Sequence, residues 1–175
     1  YSPAYSNVFP FLREQYQAAV EDLRVSPASE KESKDPQRKL AEHLVATYWR
    51  GEIPLDDPLL VSFWKNASDE LRGHVMDFIG RNLKSTGEPL KPDAEERLRA
   101  LWAARYSVAS TAPSKENFQE EISGFGWWFA SDQFDEEWIS QQYLLALEFG
   151  SKTRTHHFVA DRLVGLVNHR PLEAL

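Results

Sequence analysis

The stretch from Phe118 to Gly150, FQEEISGFGWWFASDQFDEEWISQQYLLALEFG, constrains the fold more than any other part of the chain. It holds the densest run of aromatic side chains, and its apolar residues recur at helical spacing. Phe118, Ile122, Phe125 and Phe129 share one face of a helix expected from Lys115 to Ala130, with Ser114 as its N-cap. Trp127 falls on the opposite face, so this helix either packs on both sides or presents Trp127 to a partner. Gly124 and Gly126 flank that second face. Each costs about 1 kcal/mol of helix propensity against Ala, which close approach of a neighbouring backbone would offset. A second helix is expected to start after Asp135, an N-cap followed by the dipole-favoured Glu136 and Glu137. Phe134 and Ile139 are spaced as a hydrophobic staple, and Gly150 fits the position after the last turn. Trp138, Ile139, Tyr143, Leu145, Ala146, Leu147 and Phe149 cover an arc wide enough for more than one packed neighbour.

The same reading extends along the chain. A first helix is expected over Val8–Leu23, with Leu12, Tyr16, Ala19, Val20 and Leu23 on one face, and then a mobile loop, SPASEKESKD, over 26–35. Asp35-Pro36 and Asp57-Pro58 each pair an N-cap with proline at the first helical position. They open helices to Arg50, with Leu40, Ala41, Leu44, Val45 and Tyr48 inward, and to Asn66. Ser68 caps a helix to Lys84 whose apolar face is Leu71, Val75, Phe78, Ile79 and Leu83. Its polar face, Glu70, His74, Asp77 and Arg81, is expected to be solvated, with Asp77 and Arg81 paired one turn apart. Asp93 to Ala109 forms the next helix, with Leu98, Leu101, Trp102, Tyr106 and Val108 on one side. Arg105 lies inside that apolar stripe. A lone buried guanidinium would cost several kcal/mol, so it should form a structural ion pair with Glu120 or Glu121, bond helix-end carbonyls, or stack on a ring. A last helix over Arg154–Asn168 turns Val159, Leu163, Leu166 and Val167 inward. Alternating strand patterns and hairpin turn pairs are absent. The expectation is an all-α fold of about seven helices in antiparallel order, one domain over 1–175, stacked as a solenoid or an irregular bundle. Trp64-x-x-Ala67-Ser68-Asp69 recurs as Trp127-x-x-Ala130-Ser131-Asp132, a repeat or a shared helix-to-helix turn. The chain begins without methionine and stops at Pro171-Leu172-Glu173-Ala174-Leu175, which reads as the first turn of a further helix. A natural C-terminus can stop this way, but a segment of a longer chain is expected, since excision would account for both ends.

Composition narrows the function classes. A formal net charge of −7 opposes broad electrostatic binding to nucleic acid or anionic membrane. Without cysteine there is no disulfide framework and no thiolate metal site. No apolar run approaches the roughly 18 residues of a membrane span, and the start lacks a signal peptide's basic and apolar regions. No membrane partner and a cytoplasmic location are expected.

No cofactor is expected, because neither a P-loop nor a dinucleotide fingerprint is present. Glu70 and His74 have metal-ligand spacing but lack an evident third ligand, and HExxH is absent, so no metal is assigned. Asp132, Asp135, Glu136 and Glu137 cluster where helix capping explains them, so no catalytic residue is assigned and the chain is not read as an enzyme. Trp127, with Lys152, Arg154, His156 and His157 at the locally basic end, forms the candidate partner-binding set. With Arg162, His169 and Arg170, that end is the electrostatic footprint for an alternative reading, nucleic-acid binding by a basic C-terminal hairpin.

The paired amphipathic helices resemble a degenerate HEAT-type array. The stretches YWRGEIPLDDPLLVSFWKNASDELRGHVMDFIGRNL and FGWWFASDQFDEEW are also similar to helical regions toward the ends of very large bacterial proteins, some with nucleotide-binding domains upstream. The resemblance covers most of the chain after Leu40 and is one of pattern, with no catalytic motif in it. It implies a scaffold, sensor or docking segment whose partner is a protein or another domain of its own full-length chain.

Overall fold

The computed structural model describes residues 35–150 and 156–169. The helix expected over 8–23 and the loop over 26–35, Asp35 excepted, lie outside the described residues. Those described form helices and connecting turns, with no strand among them. Contacts divide the chain into two compact units, Tyr1–Ala67 and Ser68–Leu175.

In the first unit, α1 spans Pro36–Trp49 and α2 spans Pro58–Asn66. Each starts where an aspartate side chain takes up backbone donors that no carbonyl of the helix can reach. Asp35 accepts from the Gln37 N–H at 2.9 Å, and Asp57 from the N–H groups of Leu59 at 2.8 Å and Leu60 at 3.4 Å. α1 stops because Gly51 enters the left-handed region at φ +79°, which glycine adopts without steric cost. Ala41, Val45, Tyr48, Leu60, Phe63 and Trp64 are buried, and the Phe63 and Trp64 rings meet edge-on at 4.8 Å. Asp57→Ala removes an acceptor serving two donors. It is expected to cost about 1 kcal/mol in urea unfolding, and Asp57→Asn should recover most of that. An alanine variant as stable as wild type would show that water caps this end equally well.

In the second unit, α3 spans Asp69–Ser85, with Ser68 accepting from the Leu71 N–H at 3.2 Å, and α4 spans Pro92–Thr111. A 3-10 turn over Lys115–Phe118 leads into α5, Gln119–Ser123, and α6, Phe125–Ala130. α7 covers Glu136–Glu148 and α8 covers His156–His169. The single helix expected over Lys115–Ala130 is therefore broken. Ser114 makes no capping bond. The cap is supplied from another element instead: the Asp69 carboxylate accepts from the N–H of Glu120 at 2.8 Å and of Glu121 at 3.0 Å. The α-helix therefore begins at Gln119 rather than Lys115. Around α7 the local signals act as read. Asp135 accepts from the Trp138 N–H at 2.9 Å, Phe134 and Ile139 are both buried, and Gly150 takes φ +90°.

The helices of this unit lie in parallel rows. Along α3 and α5–α6, Gly73 lies against Glu120, Met76 and Asp77 against Gly124, and Gly80 against Trp127. Farther on, Lys84 Nζ reaches the Ala130 carbonyl at 3.5 Å. Partners advance together in sequence, so the two helices run in the same direction. α4 and α7 repeat the relation. The Arg99 guanidinium lies 4.5 Å from the Trp138 ring centre, Trp102 Nε1 donates to Gln142 Oε1 at 3.1 Å, and the Tyr106 hydroxyl donates to the Leu145 carbonyl at 3.4 Å. α8 lies along α6, with Phe158 5.2 Å from Trp127. The aromatic core joins the rows. Trp102 stacks on Phe125 at 3.9 Å, Trp128 on Phe134 at 5.9 Å and Phe129 on Tyr143 at 4.3 Å. The Trp128 indole N–H, fully buried, donates to the Met76 carbonyl at 2.9 Å.

Several expected faces differ. α3 is buried over a broad arc that takes in Arg72, Gly73, Asp77 and Gly80, while Glu70 and Arg81 stay exposed and Leu71 and Phe78 are half-buried. Its supposedly solvated face is thus internal at Asp77, which faces Gly124, and Arg81 Nε donates to the Asp77 backbone carbonyl at 3.3 Å. Val108, Leu147 and Leu163 are exposed rather than inward. On α4 the inward stripe is Leu98, Leu101, Trp102, Arg105 and Ala109, which leaves Val108 outside it. On α8 the inward position belongs to Arg162, whose side chain is 8% exposed, so Leu163 turns outward. The Trp-x-x-Ala-Ser-Asp echo is not a shared turn. Ser68 is extended and caps α3, whereas Ser131 is helical and Asp132 follows at φ +64°.

Candidate functional site

Arg105, the charged residue inside the α4 stripe, lies at the centre of a buried polar constellation in the second unit. Its Nε donates to Glu121 Oε1 at 2.6 Å and its Nη2 to Glu121 Oε2 at 3.1 Å. Glu121 is fully buried, and its Oε2 also accepts from Arg72 Nε of α3 at 2.5 Å. Arg72 continues outward: its Nη2 donates to the Asn117 carbonyl in the 3-10 turn and lies 3.6 Å from Asp69 Oδ1. The Arg72 guanidinium also lies 4.9 Å from the Phe118 ring centre. Asp69 in turn holds the first turn of α5.

Two guanidinium and two carboxylate groups thus tie α3, α4, the 3-10 turn and α5 together. The charges balance, which makes burial of Arg72, Arg105 and Glu121, with Asp69 at the edge, tolerable. Glu121 accepts three charge-assisted bonds, so its acceptor capacity is committed to the protein itself. The arrangement is suited to holding helices in register.

Beside the cluster, glycines let α3 and α5–α6 approach almost backbone to backbone. A Cβ added at Gly73 would stand 2.6 Å from the Glu120 carbonyl oxygen. One at Gly124 would stand 2.6 Å from Met76 Cβ. One at Gly80 would collide with Trp127 Cβ. The close approach anticipated at Gly124 is present, with α3 as the neighbour. Gly126 is also buried.

The partner-facing residues read from the sequence are not brought together as a set. Trp127 is half-buried, with α3 beside its backbone and Phe158 of α8 against its ring. His157 is exposed and its ring lies 4.0 Å from Phe158. Lys152, Arg154 and the side chain of His156 lie outside the described residues. Arg162 departs from the basic footprint altogether. It turns inward over the Phe129 ring at 5.2 Å, with Nη1 2.9 Å from Asp132 Oδ1. Burial pulls its pKa below the usual arginine range, and the nearby Asp132 and Glu136 partly restore it.

Arg72 and Asp69 escaped the sequence reading, although two glycines on one face of a long helix, Gly73 and Gly80, carried the same close-approach signal that was applied to Gly124. Among the described residues no group of three His, Asp or Glu side chains is placed to hold a metal ion, and no helix is long and apolar enough to cross a membrane. No protein-family model, no curated protein and no solved structure matches the chain.

Proposed function

We propose that this chain is a non-catalytic helical scaffold or interaction module, its helices stacked in the HEAT-like manner, that holds a protein or another part of its own full-length chain in a fixed position. The observation that carries this reading is the row arrangement of the second unit. α3 and α5–α6 run side by side in one direction with α8 along α6, and α4 and α7 repeat the relation. Solenoids build extended binding surfaces from such rows, because each element is braced by its neighbours and leaves an outer face free. The ion cluster supplies the bracing. The outer face of α7 presents Leu144 and Leu147, 56% and 45% exposed. Side chains that bind a partner cost little stability when changed, unlike those of the brace.

The double variant Leu144→Asp/Leu147→Asp separates the two roles. Introduced into the natural protein, it is expected to leave the unfolding midpoint of the chain nearly unchanged. It should shift the native complex to a smaller size on gel filtration of cell extract. Unchanged complex size would remove α7 from the docking surface. Salt-sensitive binding to duplex or single-stranded DNA at micromolar protein, with a slope near one per phosphate contact, would transfer the chain to the nucleic-acid-binding class.

A further inference from the structure

We infer that α8 is a releasable strap whose docking on α6 is set by one buried guanidinium facing one exposed carboxylate, so that charge more than apolar burial decides whether it is closed. Four observations meet here. Among the α8 side chains described, over 157–166, Val159 alone is classed as buried, and Leu163 and Val164 point outward at 43% and 60% exposure. An element with so little apolar burial opens at low cost relative to the core. Second, the Arg162 side chain is 8% exposed, yet none of its three nitrogens makes a hydrogen bond among the described residues. Its contact with Asp132 at 2.9 Å is an ion pair outside hydrogen-bond geometry. Third, Asp132 is 84% exposed, so water and salt compete for it. Fourth, a further cation against α8, unlike Arg162, is solvent-accessible: Lys84 of α3 is exposed and its Nζ lies 3.9 Å from the Phe158 ring centre.

The contrast with the internal cluster decides the sign of the effects. There, one carboxylate satisfies two guanidinium groups through three hydrogen bonds. Here a guanidinium gives up its hydration for one largely exposed carboxylate, with the Phe129 ring beneath it and the charge of Glu136 nearby. A buried charge in that state opposes docking, and an apolar side chain of similar volume removes the penalty. Methionine at 162 would fill the same space and set its thioether against Phe129. The strap is thus built weaker than its shape requires, and its weakness is electrostatic.

Hydrogen exchange resolved by mass spectrometry tests this on the whole chain, comparing peptides from α8 with peptides from α3. In the wild type, α8 amides are expected to exchange at least about tenfold faster than those of α3, and faster still as salt rises. Asp132→Asn keeps a side chain that tolerates positive φ but removes the charge, and it should speed α8 exchange by a further factor of about ten with α3 unchanged. Arg162→Met should slow α8 exchange several-fold and abolish its salt dependence. Loosening of α8 by Arg162→Met would overturn the inference, because the pair would then be an ordinary structural tie. So would an Asp132→Asn variant that matches wild type, or one that accelerates α3 and α8 alike.

Discussion

Glu121→Gln is expected to lower the stability of the Ser68–Leu175 unit by about 3–5 kcal/mol, because it removes the one fully buried negative charge that both Arg72 and Arg105 bond. The amide keeps the volume but offers one acceptor oxygen, and it turns donor hydrogens toward donors. Urea unfolding should show a lower midpoint with an unchanged slope. Arg105→Met is the informative companion. It leaves Glu121 still paired with Arg72, so its cost should be smaller, about 1–3 kcal/mol. If Arg105→Met left stability untouched and instead abolished binding of some anion, the cluster would be a binding site and the bracing role would fail.

Gly80→Ala is expected to be clearly destabilising despite its small size. In an exposed helix the change would gain about 1 kcal/mol of helix propensity. At Gly80 the new methyl would meet Trp127 Cβ, with the Trp127 carbonyl carbon at 2.7 Å and the Trp128 nitrogen at 2.8 Å. Two of those three atoms are backbone, so no rotamer change relieves the contact and the helices must separate. Overpacking of this kind costs about 1–3 kcal/mol, and the rigid neighbour puts Gly80 at the upper end, for a net loss of about 2 kcal/mol. Gly165→Ala on α8 is the control, since nothing stands within 4 Å of its added Cβ. It should be neutral or stabilising. Equal stability of Gly80→Ala and wild type would mean that α3 and α5–α6 do not pack as closely as described.

What the sequence made legible was local. Asp35, Asp57, Ser68 and Asp135 announced helix starts because a capping side chain acts on donors two or three residues away. Arg105 announced a buried ion pair because a charge interrupted an apolar stripe, and Glu121 was one of two carboxylates in reach on the following element. The remainder depended on partners distant in sequence. Nothing near Gln119 reveals that Asp69 will cap its helix, so Lys115–Ala130 read as continuous. Asp77 looked solvated because periodicity assumes one buried face, whereas Gly73 and Gly80 admit a neighbour beside it. On α8 the hydrophobicity rule placed Leu163 inside, but Arg162 took that place, with its charge directed at Asp132 and its plane over Phe129.

The parallel pairing of α3 with α5–α6 has a kinetic consequence. The Trp128 indole and the Met76 carbonyl that it meets are separated by 52 positions, and the whole of α4 lies between them. Helical proteins usually fold fast because their contacts are local, but here the tightest helix pair can close only after a long loop has been gathered in. The carboxylate of Asp69 adds to this delay, since the first turn of α5 lacks its cap until α3 arrives. α5, only five residues long, is too short to persist unaided in the unfolded chain and becomes helical as the pair closes. The unit should therefore refold more slowly than its all-helical composition implies, in a single concerted phase in which helix formation and long-range packing cannot be separated.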